Sequence, residues 1–62
     1  MQNSNLVVTV TADYKKAVFT WDDELESCDY TAHGFEDDEI KMLIDTKACQ
    51  GKEIEGYKVI IQ

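Results

Sequence analysis

Leu6-Val7-Val8-Thr9-Val10-Thr11 and Ala17-Val18-Phe19-Thr20-Trp21, joined by Ala12-Asp13-Tyr14-Lys15-Lys16, decide the fold. Successive side chains of an extended chain point to opposite sides, so Leu6, Val8 and Val10 share one face while Val7, Thr9 and Thr11 share the other. The second run is β-branched and aromatic, with Ala17, Phe19 and Trp21 on one face. Two such runs around a polar turn predict a β-hairpin with one side toward a core.

The rest of the chain extends that hairpin. Asp22-Asp23-Glu24 interrupts the alternation, and Leu25 to Thr31 reads as a third strand, with Leu25 on one face and Cys28 and Tyr30 on the other. Ile40, Leu43, Ile44 and Ala48 recur at helical spacing, which predicts a helix over Glu36 to Cys49. Its ends are marked too. Glu36, Asp37, Asp38 and Glu39 sit at the positive end of the helix dipole, Phe35 is placed to staple onto Ile40, Lys47 falls in the last turn, and Gly51 suits the stop.

After Gly51-Lys52-Glu53, the stretch Ile54 to Ile61 carries a final strand in Tyr57-Lys58-Val59-Ile60-Ile61, apolar enough to predict an inner position. The order is β-β-β-α-β. It predicts an α+β domain over residues 1–62: a small antiparallel or mixed sheet of three to four strands with one amphipathic helix packed on one face. The Ile40/Leu43/Ile44 stripe is expected to cross Leu6/Val8/Val10, Phe19/Trp21 and Val59/Ile61.

Length sets the scale of this core. A chain of 62 residues buries only about 60% of the surface that its unfolded form exposes. Because 44% of the residues are hydrophobic, the chain is too apolar for a disordered acidic tail despite its net charge of −7. Met1-Gln2-Asn3-Ser4-Asn5 has no basic lead into an apolar run, so a cytoplasmic location and no membrane partner are expected. Two cysteines, Cys28 and Cys49, are a weak count for a disulfide framework, and reduced thiols are expected.

The charges are lopsided. Asp22, Asp23, Glu24, Glu26, Asp29, Glu36, Asp37, Asp38 and Glu39, nine of the thirteen carboxylates, lie between Trp21 and Ile40 without an intervening lysine. All six lysines lie elsewhere and the chain contains no arginine, the usual bidentate grip on phosphate, so direct nucleic-acid binding is not expected. A negative face instead steers a basic partner and takes the place of a phosphate backbone in a basic groove. Part of the excess has a plainer use at the helix start and in solubility, but solubility alone favours interspersed signs. Tyr30, amid the carboxylates, is an amphipathic anchor for the same partner.

Other chemistries find less support. Cys28, Asp29, His33 and Cys49 offer zinc donors without the close Cys or His pairs of a zinc site, and Asp22 to Glu26 lacks the EF-hand glycine and ligand period. No metal and no cofactor are therefore expected. A lone His33 beside two separated thiols, in a domain too small for a deep pocket, does not make an enzyme. The expected function is a small binding protein of the kind by which phages and mobile elements inhibit a basic nucleic-acid-handling or defence enzyme through nucleic-acid mimicry. Two alternatives remain: a self-assembling structural protein, with a homodimer through an edge strand, or a ligand sponge whose pocket forms between subunits.

Overall fold

The alternation in residues 6–21 becomes an antiparallel pair, β1 (Asn5–Ala12) and β2 (Lys15–Asp22), in the computed structural model, which describes residues 5–62. Val8 lies opposite Phe19 and Val10 opposite Ala17, so these four side chains share a face, and all are fully buried. The turn is tighter than the sequence predicts, because Ala12 and Lys15 remain paired across Asp13-Tyr14. Asp13 takes a φ of 53°, a left-handed conformation that short polar side chains tolerate.

The third strand is displaced from its predicted bounds. β3 runs Ser27–His33 rather than Leu25 to Thr31 and pairs antiparallel with β2, Tyr30 opposite Phe19 and Ala32 opposite Ala17. Leu25 is 74% exposed in the connecting turn. Asp22 Oδ1 accepts hydrogen bonds from the Glu24 and Leu25 N–H groups at 3.0 and 3.2 Å, and Glu26 has a φ of 51°. An aspartate-nucleated turn thus uses the residues that would have begun the strand.

The helix is also shorter than predicted. α1 spans Asp37–Asp45, and Glu36 caps it, its N–H donating to Glu39 Oε1 at 3.4 Å. Thr46 ends it, for its hydroxyl donates to the Met42 carbonyl at 2.7 Å while Lys47 turns left-handed at φ 69°. A 3-10 turn, Ala48–Gln50, follows. Ala48 and Cys49 in this turn are buried in the core beside Ile40, Leu43, Val8, Val10, Ala17 and Phe19. Gly51 closes the turn at φ 97°, and a Cβ there would meet Ile61 Cδ1 at 2.5 Å.

β4 (Lys58–Ile61) pairs antiparallel with β1, giving the sheet order β3-β2-β1-β4. It is an edge strand and not the inner one predicted. Alternation explains its apolar run: Val59 and Ile61 lie opposite Val10 and Val8 on the core side, whereas Ile60 lies opposite Thr9 on the other. The result is a four-stranded antiparallel α+β sheet whose helix covers one face.

Candidate functional site

β2 enters the acidic stretch and β3 divides it. Asp22 ends β2, and Asp23, Glu24 and Glu26 occupy the β2–β3 turn at one end of the sheet. Glu36, Asp37, Asp38 and Glu39 follow β3, at the opposite end, where Lys16 pairs with His33. Seven residues of strand at about 3.3 Å each hold the two groups roughly 23 Å apart. The carboxylates are therefore split between the two ends of β3, with only Asp29 on the strand between them. Asp29 is on the face away from the helix, with Thr20 as its register partner, while Tyr30 points to the helix side. The Tyr30 ring stands 5.7 Å from Phe19 and remains 47% exposed, leaving its outer half open to a partner.

The two groups differ in what already occupies them. At the helix start, Lys15 Nζ lies 2.9 Å from Glu39 Oε2 and 5.7 Å from the centre of the Phe35 ring, which stacks on Tyr57 at 6.0 Å. The hydrogen bond to Lys15 holds the Glu39 carboxyl below its ordinary value, and the same bond raises Lys15. A lysine distant in sequence thus balances one carboxylate of a stretch that contains none. Asp37 and Asp38 are exposed in the first helical turn, where the N–H groups favour negative charge.

At the β2–β3 turn Asp22 accepts the two turn hydrogen bonds. Asp23, Glu24 and Glu26 are exposed and accept no hydrogen bond from the described residues. Beside them opens a cleft of about 410 Å³ lined by Trp21, Asp23, Glu26, Ile44, Asp45, Lys47 and Gln50. Half-buried Trp21 and Ile44 supply its apolar wall, and three carboxylates face one lysine around it. Trp21, which the sequence places in the core, packs half-buried against it and also lines this cleft, whereas sequence reasoning assigns Asp45 no role. Neither position carries a signal in the chain, because the end of α1 reaches the turn only through the tertiary fold.

The thiols and the histidine lie apart. Cys28 is on the helix side of β3 and packs against the core that contains Cys49, whereas His33 is exposed on the opposite face. Burial pushes the Cys49 thiol up to about 11, and the adjacent Cys28 adds to that rise. Both cysteines are free. Among the described residues no three His, Cys, Asp or Glu side chains converge as metal ligands, and no helix is long and apolar enough to cross a membrane. Comparisons with protein-family models, curated proteins and solved structures gave no match.

Proposed function

We propose that this chain is an acidic binding protein that inhibits a basic nucleic-acid-handling or defence enzyme by occupying its nucleic-acid groove. The supporting observation is the β2–β3 turn, where Asp23, Glu24 and Glu26 accept no hydrogen bond from the described residues and Asp23 and Glu26 line the Trp21 cleft. An ammonium or guanidinium group entering that cleft meets the carboxylates of Asp23, Glu26 and Asp45 beside the Trp21 side chain. Tyr30 continues the surface along β3, and exposed Asp37 and Asp38 extend it to the far end. A span of roughly 23 Å equals the axial rise of about seven nucleotide steps of a duplex at 3.4 Å each. The mimic therefore offers charge at both ends of a short duplex footprint and an aromatic anchor between them. An origin in a phage or mobile element, and action in the cytoplasm, belong to the same reading.

Displacement tests it. A candidate enzyme loaded with a labelled duplex should release it as this protein is added, and Asp23→Lys with Glu26→Lys should remove that effect. Ternary binding without displacement would sink the mimicry.

A further inference from the structure

The helix covers one face of the sheet, and among the described residues nothing covers the other. The centre of this open face is uncharged and β-branched. Val7, Thr9, Val18 and Ile60 form its middle, with Thr9 only 9% exposed between neighbouring strands and Ile60 40% exposed. Its two ends carry opposite charge. Lys16, His33 and Lys58 fall in one register row, because Thr11 pairs with both lysines and Lys16 pairs with His33. At the other end Asp29 and Asp22 lie on β3 and β2, opposite Thr20 and Ser27. All five alternate onto this same side of the sheet.

We propose that this face is self-complementary and that two copies of the chain pack through it as a weak two-fold dimer with opposed strand directions. A two-fold axis running across the strands sets the lysine end of each copy over the aspartate end of the other, while the β-branched centres meet. An axis parallel to the strands would place lysines on lysines. The charge pattern therefore selects one arrangement as well as one partner. Four strands about 4.8 Å apart and up to eight residues long present roughly 400 Å² of projected area per copy, about half that of a standard interface, so the dimer is weak and forms only at high concentration. The dimer does not rest on the proposed inhibition, since the β2–β3 turn and its cleft lie at the sheet's end and remain open. It does withdraw Asp22 and Asp29 from the partner-facing carboxylates.

Sedimentation equilibrium of the whole chain from about 10 µM to 1 mM tests the proposal. The wild-type chain should dimerise, and Lys16→Asp or Asp29→Lys should each weaken the dimer by about tenfold or more. The two changes combined should restore it to within roughly threefold of the original. Both side chains are exposed, and circular dichroism verifies that the variants fold. A wild-type monomer at 1 mM would overturn the proposal, as would a dimer indifferent to both single changes, or a double variant that fails to recover. None of these results bears on duplex displacement by the acidic turn.

Discussion

The two ends of β3 carry similar numbers of carboxylates and use them differently. At the helix start, Glu39 is bonded to Lys15 and to the Glu36 N–H, and Asp37 and Asp38 sit where the helix dipole welcomes them. At the β2–β3 turn, Asp22 alone accepts hydrogen bonds from the described residues, and Asp23 and Glu26 border a cleft lined by Trp21. Equal charge in sequence therefore does not mean equal availability in space. The helix start is largely occupied with holding the fold, and the turn is where charge without a partner among the described residues faces outward.

Charge reversal at both ends sharpens this contrast. The largest effect is expected from Asp23→Lys with Glu26→Lys, which should weaken a basic partner by about 100-fold, near 3 kcal/mol, with the thermal midpoint nearly unchanged. Calorimetric titration and a melting curve on one preparation measure both. Asp37→Lys with Asp38→Lys should show the reverse bias, a loss of about 1–2 kcal/mol in stability by urea unfolding and less than tenfold in binding. A larger binding loss at the helix start than at the turn would erase the distinction.

Smaller changes separate turn from cleft. Asp22→Ala removes the acceptor for two N–H groups and should cost about 1 kcal/mol in stability by urea unfolding. Glu39→Gln should lower the stability at neutral pH and converge with the wild-type chain in acid, where the carboxylate is protonated in both folded and unfolded chains. The Glu39 carboxyl is depressed in the folded chain, so its contribution is present above the ordinary value of 4.5 and fades as pH falls through the lower folded value. Lys15 is raised, so its contribution is present below 10.5 and fades as pH rises through the folded value. Urea midpoints followed from pH 7 to 3 should fall less steeply for Glu39→Gln. Parallel profiles would remove the Lys15 pairing from the stability of the helix start.

Much of the fold is legible in the sequence because local pattern and tertiary pairing agree there. The alternation of Leu6 to Thr11 and Ala17 to Trp21 became β1 and β2, and Ile40 and Leu43 became the buried side of α1. Errors arose where side chains compete with the backbone pattern. The Asp22 carboxylate draws Leu25 into a turn, and the Thr46 hydroxyl helps to end a helix whose apolar spacing continues to Ala48. β4 looked like an inner strand because apolar residues occupy both of its faces, one toward the core and one on the open face.

The site was legible in composition and hidden in arrangement. The run of carboxylates is plain in the chain, but the Lys15–Glu39 pair joins residues 24 positions apart, and the cleft joins Trp21 to Asp45. Such contacts follow from the path of α1 across the sheet. The open face is different: its charged rows need only the strand register, since Lys16, His33 and Lys58 align once β1 is paired on both sides.

A salt-stepped pull-down from cell lysate, with the wild-type chain and the Asp23→Lys, Glu26→Lys variant side by side, tests the central proposal most directly. A nucleic-acid-binding protein should be held by the wild-type chain alone, leave at moderate salt, and be displaced by added duplex. Equal retention by both chains, or retention indifferent to the duplex, would contradict an acidic turn that takes the place of nucleic acid.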